Sequence, residues 1–154
     1  MGIWLYYIAA AALVAADQVS KAAARAALPG AGTVTLLPGV VGLTYVENTG
    51  MAFSSFSGFT GVLALVSAAA AVALAVAIWR RALHHGFGQW MLTLLLAGAV
   101  GNLIDRVWLG YVTDMIQLLF VRFAIFNVAD ICVTVGALGL IVYLFFFESE
   151  AGQK

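Results

Sequence analysis

Apolar residues run through this chain in four long stretches, about 3–24, 59–79, 89–108 and 125–147. Each is near the ~20 residues a helix needs to cross a bilayer core. The polar positions that interrupt the pattern are not scattered. Asp17-Gln18-Val19-Ser20-Lys21 falls toward the end of the first stretch, Gly101-Asn102-Leu103-Ile104-Asp105-Arg106 toward the end of the third, and Phe126-Asn127-Val128-Ala129-Asp130 at the start of the fourth. Two further motifs, Glu47-Asn48-Thr49-Gly50-Met51-Ala52-Phe53 and Val112-Thr113-Asp114, lie between stretches. A four-span, up-and-down topology brings all five to one end of the bundle. The segment about 29–57 reads differently. Pro29, Gly30, Gly32, Pro38, Gly39 and Gly42 punctuate β-branched and aromatic runs at 33–37 and 43–46, which predicts a small sheet outside the bilayer core, with 111–117 as a further strand or amphipathic edge. The expected architecture is a membrane all-α, four-transmembrane-helix bundle with a small extracytoplasmic β-sheet, organised as one domain over 1–154.

Composition supports the spans. Hydrophobic residues make up 64% of the 154 and charged residues 9%, against about 25% charged in a soluble domain. The formal net charge is zero, so nucleic acid is not an expected partner. Cys132 is the only cysteine, which excludes an internal disulfide and a Cys-rich metal motif. The sequence holds no Gly-rich phosphate loop and no His-Glu-x-x-His. No cofactor and no metal are expected.

Basic residues in short loops mark the cytoplasmic side. Arg80 and Arg81, with His84 and His85, place the second loop and both termini in the cytoplasm and the five motifs near the outer face. Lys21, Arg25, Arg106 and Arg122 fall on the other side. Lys21 and Arg106 belong to motifs, and Arg25 and Arg122 are expected to meet lipid phosphates.

Helix geometry sharpens the chemistry. Asp17 and Lys21 are i,i+4; Asn102 and Asp105 are i,i+3, as are Asn127 and Asp130. Each helix presents a polar patch that a bundle turns inward. Carboxylates at membrane depth are costly and by default functional. Two held close cannot both ionise cheaply, so one keeps a proton while the other activates water; Asp114 and Asp130 are the candidates. Asp130 is equally placed to cap nearby backbone, and spacing alone leaves both readings open. Asp17 with Lys21 reads as a structural salt bridge. A Ser20–Lys21 nucleophile pair is disfavoured because adjacent helical residues face different ways. Asn48, Asn102, Asp105, Arg106 and Asn127 read as a positioning and binding set. Gly50 is expected to supply a positive φ or a close approach, and Phe53 a lid or membrane anchor. Ala97 and Gly101 suit close helix packing, Cys132 a buried hydrophobe, and 143–147 an aromatic belt.

In this order, D-Q-V-S-K, E-N-T-G-M-A-F, G-N-L-I-D-R, V-T-D-M and F-N-V-A-D resemble the bacterial lipoprotein signal peptidases, also called signal peptidase II, over nearly the whole chain. Met115 departs from the more usual Phe. The resemblance implies an aspartic endopeptidase of the bacterial inner membrane with Asp114 and Asp130 as the catalytic pair. Asn48, Gly50, Asn102, Asp105, Arg106 and Asn127 would lie around them, with Asp17 and Lys21 as structural polar residues. It implies a diacylglyceryl-modified prolipoprotein substrate cut before the lipidated cysteine, contact with membrane lipids, inhibition by globomycin-type cyclic peptides, and a monomer. Two other classes compete. A proton- or ion-coupled transporter would spread its carboxylates across the membrane, and a metal-dependent lipid transferase would lose activity on chelation.

Overall fold

The computed structural model describes residues 2–50 and 58–147. Four helices are long and apolar enough to cross a membrane: α1 (Ile3–Ala27), α2 (Thr60–Trp79), α3 (Gly86–Trp108) and α4 (Val128–Phe146). In lipid the backbone must satisfy its own hydrogen bonds, which helices do within one segment. Between α1 and α2 lie β1 (Val34–Leu37) and β2 (Val41–Asn48); β3 (Val112–Leu118) links α3 to α4. The three form an antiparallel sheet in the order β1-β2-β3. The β1–β2 turn follows from Pro38-Gly39: Gly39 has φ +71°, and the Val40 N–H donates to the Leu37 carbonyl at 3.0 Å. Proline then glycine at the central positions is the chemistry of a type II turn.

α3 packs against the other three helices and is the most buried of them. One apolar core joins Tyr6 and Ala10 of α1, Ala71 and Ile78 of α2, and Leu92, Leu96 and Ala97 of α3. It fills the end of the bundle away from the five motifs. A second cluster seats the sheet on the end of α1, with Met115 buried against Ala24 and Leu28. The remaining large apolar side chains of α1, α2 and α4 face outward, as a lipid solvent allows.

Several expectations need correction. Residues 125–127 are not helical: Phe126 pairs with Ile116, and α4 begins at Val128. Of the two readings open for 111–117 the strand holds: residues 112–118 pair with β2. Tyr143 is not part of a lipid-facing belt; it is buried where a Cβ on Gly88 would come within 2.9 Å of its ring, while Phe145 and Phe146 are exposed. Close helix approach is needed at Gly98 as well as Gly101: a Cβ on Gly98 would lie 2.5 Å from the Ala129 carbonyl oxygen. The positive-φ glycines among the described residues are Gly30, Gly32, Gly39, Gly58 and Gly110; Gly50 enters the site through its backbone. Phe53 lies outside the described residues.

Candidate active site

The site is assembled where the ends of α1 and α3, the start of α4 and the strands β2 and β3 converge. Asn127 is the N-cap of α4. Its extended backbone lets Oδ1 accept from the Asp130 N–H at 2.9 Å while Asp130 Oδ2 accepts from the Asn127 N–H at 3.2 Å. This reciprocal capping box satisfies two donors that a helix start would otherwise orphan. Asp130 therefore caps backbone and also faces the other motifs. The Asn127 amide donates to Asp114 Oδ1 at 2.7 Å, so one asparagine holds both carboxylates.

The other carboxylate oxygens are met by amides too. Asn48 Nδ2 donates to Asp114 Oδ2 at 2.9 Å, and Asn102 Nδ2 to Asp130 Oδ1 at 2.8 Å. All four oxygens of the pair thus accept from neutral donors, and neither carboxylate has an ion-pair partner among the described residues. Asp114 is only 2% exposed. Burial pushes its carboxyl up to about 6; the Asp130 charge adds to the rise, while the Asn48 and Asn127 hydrogen bonds and the Lys21 charge pull the other way.

Beneath this pair lies a second polar layer in which charges are matched. Lys21, fully buried, contacts Asp17 Oδ2 at 2.9 Å, Asp105 Oδ2 at 3.4 Å and Asn102 Oδ1 at 2.9 Å. Asp17 Oδ1 accepts from the Ala129 N–H at 2.9 Å, so α1 caps the first turn of α4. Asp105 accepts from the Thr113 N–H at 2.9 Å and so fixes β3 one residue before Asp114. Ser20 is spent on the Asp17 carbonyl at 2.7 Å and is not aligned with Lys21 as a nucleophile.

Arg106 bridges to the loop after β2. It donates to the Gly50 carbonyl at 3.2 Å and to Ser67 of α2 at 3.4 Å. The Gly50 N–H in turn donates to Asn48 Oδ1 at 2.9 Å. Asn48, Asn102, Arg106, Asp114 and Asp130 all line the head of one cavity of about 650 Å³. Its remaining walls are mostly apolar, with Leu63, Val66, Ala70 and Leu74 from α2, Leu95, Gly98 and Ala99 from α3, and Ile131, Val133, Thr134 and Val135 from α4. The cavity thus joins a polar head to mostly apolar walls.

Asp17, Lys21, Asn48, Gly50, Asn102, Asp105, Arg106, Asp114, Asn127 and Asp130 all fall in one of these two layers or in the loop that Arg106 holds, whereas the Ser20 hydroxyl bonds its own helix and the Glu47 carboxylate bonds Tyr45. Three partners were missed. Gln18 donates to Asp17, the Gly101 carbonyl and Asp105 at 3.1–3.2 Å. Arg25 donates to Thr113 Oγ1 at 2.9 Å and so is committed to the site instead of to lipid phosphate; the four-residue spacing 17, 21, 25 carried that signal. Ser67 was visible only as a hydroxyl in an apolar span. His85, on the opposite loop, caps α3 by accepting from the Phe87 N–H and stacks on Phe147 at 4.6 Å.

Comparison with known proteins agrees with this architecture. A bacterial membrane enzyme solved by the in meso method at 2.3 Å superposes with a TM-score of 0.88 at 29% identity, covering 97% of this chain and 92% of that one. A second, at 1.9 Å, gives 0.83 at 30% identity, covering 93% and 94%. The lipoprotein signal peptidase of Lactiplantibacillus plantarum (strain WCFS1) is 37% identical over 144 residues, 91% of this chain and 93% of that protein. That of Clostridioides difficile (strain 630) is 36% identical over 147 residues, 96% and 99%. With four apolar helices of this length the chain is a multi-pass membrane protein. The sequence model of signal peptidase (SPase) II matches residues 9–146, and the chain belongs to that family.

Proposed function

We propose that this protein is an aspartic endopeptidase that removes the signal peptide from diacylglyceryl-modified prolipoproteins, cutting before the lipidated cysteine. The observation that carries the reading is a pair of buried carboxylates, Asp114 and Asp130, held by amides instead of cations at the head of an apolar cavity. In the singly protonated pair, the ionised carboxylate takes a proton from water as the water oxygen attacks the scissile carbonyl carbon. The protonated carboxyl donates to the carbonyl oxygen, giving a gem-diol. Collapse breaks the C–N bond: the carboxyl that took the water proton passes it to the departing amine of the cysteine, the other carboxylate takes a hydroxyl proton back from the gem-diol and so restores the singly protonated pair, and the second product leaves as a carboxylic acid that ionises in water. Asn48, Gly50, Asn102, Asp105, Arg106 and Asn127 orient the pair and the substrate backbone. Asp17 and Lys21 hold the helices that carry them.

The substrate is a membrane helix with a lipid anchor, so its scissile bond lies at the outer interface. The proposed orientation follows: both termini and the Arg80–Arg81 loop cytoplasmic, the site near the outer face of the bacterial inner membrane, and the chain acting as one domain and a monomer. Globomycin-type cyclic peptides are expected to occupy the cavity head and block the carboxylates. The test is incubation of purified protein, in detergent with EDTA, with a diacylglyceryl-modified prolipoprotein, wild type beside Asp130→Asn, products identified by mass. Wild type should release a fragment beginning at the lipidated cysteine and Asp130→Asn should not. A folded wild type inert toward a verified lipidated substrate, or a turnover-competent Asp130→Asn, rejects the proposal.

A further inference from the structure

Three asparagines hold the carboxylate pair, and each can point either its oxygen or its NH₂ at a carboxylate. Only the NH₂ stabilises an ionised carboxylate, so something must set each amide's sense. For Asn48 it is the Gly50 N–H on Oδ1 at 2.9 Å. For Asn127 it is the Asp130 N–H on Oδ1 at 2.9 Å. These two donors are backbone and cannot turn round. For Asn102 the Oδ1 partners are Lys21 Nζ at 2.9 Å and Asn127 Nδ2 at 3.2 Å, and the ammonium is the shorter and the charged one. An ammonium has three donors and no acceptor. Lys21 spends them on Asp17, Asp105 and Asn102 and is wholly buried, so no water competes for it.

We infer that Lys21 is a positioning residue for the reaction: its ammonium locks the Asn102 amide so that Nδ2 always faces Asp130 Oδ1. Its neutralisation of Asp17 is a separate task performed by another of its three N–H groups. Without the ammonium, only the longer Asn127 contact at 3.2 Å opposes a turn of the Asn102 amide; in the turned state its oxygen faces a protonated Asp130, and the pair's proton is then held in a hydrogen bond within the protein instead of being delivered to the substrate. The inference rests on Asp114 and Asp130 doing the chemistry.

Lys21→Met alone would strand the buried Asp17 charge, so the informative variant is Asp17→Asn with Lys21→Met. It removes one charge of each sign, and the carboxamide oxygen left at position 17 can still accept from the Ala129 N–H. The charged groups left facing the position are Asp105 and Arg106 of α3, Arg25 of α1, Asp130 of α4 and Asp114 of β3. Cleavage of the lipidated prolipoprotein is measured from pH 5 to 8 for wild type, the double variant and Asp114→Asn. The expected result is a folded double variant with kcat lowered on the order of 10²-fold, the scale of a small misplacement of reacting groups, and KM changed less than threefold. The limb of its rate profile set by Asp114 should also move to higher pH, because Lys21 draws that carboxyl downward. Wild-type kcat and an unmoved limb in the folded double variant would overturn the inference and leave Lys21 a counter-ion only. Turnover by Asp114→Asn would instead defeat the underlying peptidase reading. Should the double variant not fold, the Asn102 side-chain amide of ¹⁵N-labelled wild type decides. One Nδ2 signal pair persisting through the titration supports the lock, and a second, exchanging orientation refutes it.

Discussion

The two polar layers are made from the same residue type and solve the same problem in opposite ways. In the lower layer Asp17 and Asp105 are neutralised by Lys21, with Arg25 close to Asp105 at 3.9 Å, and their oxygens are consumed by the backbone of Ala129 and Thr113. In the upper layer Asp114 and Asp130 have no ion-pair partner among the described residues and are held by three amides and one N–H, facing a cavity. A buried carboxylate whose charge a lysine matches is suited to joining helices. One held by neutral donors has no fixed charge opposite it, which is what the proposed proton transfer requires. In the proposed mechanism, what separates the structural from the reactive carboxylates is the charge of the neighbour.

The largest expected effect tests the upper layer. Asp114→Asn and Asp130→Asn should each lower kcat by on the order of 10⁴-fold, with helix content and elution in detergent unchanged. Loss of the fold in both would mean that these carboxylates belong with the lower layer. Next in size is Asp17→Asn, which removes the shorter of the two ion pairs of the buried Lys21 and leaves it with Asp105 at 3.4 Å. Breaking a buried pair from one side costs about 3–5 kcal/mol, so resistance to thermal unfolding should fall sharply. A variant as stable as wild type but inactive would move Asp17 into the reactive layer.

The sequence made the two layers visible as motifs but not as layers. Helical spacing was enough to place Asp17 beside Lys21 and Asn127 beside Asp130, because i,i+3 and i,i+4 neighbours are local. Spacing could not reveal that Asp17 reaches the Ala129 N–H, 112 residues away, or that Lys21 reaches Asn102. Those contacts depend on how closely α1, α3 and α4 approach, which Gly98 and Gly101 decide. The start of α4 was misjudged for a related reason: Ile125 and Phe126 are apolar enough for a span, but Phe126 is paired to β3 and Asn127 is a stronger helix start than any apolar residue. The spacing 17, 21, 25 puts Arg25 on the right face, but the partners that tie Gln18 and Arg25 to the site, Gly101, Asp105 and Thr113, lie on other elements.

A pH titration sharpens the comparison next. Asp114 sits at about 6 in the folded protein, against about 3.9 in an unfolded chain. A raised carboxyl pKa means that the folded state binds the proton more tightly. Its favourable contribution is therefore full below about pH 4 and is lost as pH rises through 6. Asp114→Asn cannot titrate. Relative to that variant, wild type should lose roughly 3 kcal/mol at most between pH 4 and 7, with no further change above. The check is the difference in unfolding midpoint between the two proteins across that range. A constant difference would place Asp114 among the carboxylates whose charge is already compensated.

The smallest effect concerns the joint that keeps the layers in register. At Gly98 a Cβ would lie 2.5 Å from both the Ala129 carbonyl oxygen and Val133 Cγ2. The obstacle at Ala129 is backbone in the first turn of α4, so no side-chain rotation relieves it. Gly98→Ala must push α4 away from α3, at a cost of about 1–3 kcal/mol for overpacking. The same movement draws Asp130 away from Asn102, which spans the α3–α4 gap at 2.8 Å. Asp17 and Asp105 keep Lys21, because both lie on α1 and α3, and neither belongs to α4. Gly98→Ala should therefore retain most of its thermal stability while losing activity about tenfold or more. Equal activity at reduced stability would show that α4 can shift without carrying Asp130 with it, and that the amide contacts across the gap are looser than their lengths imply.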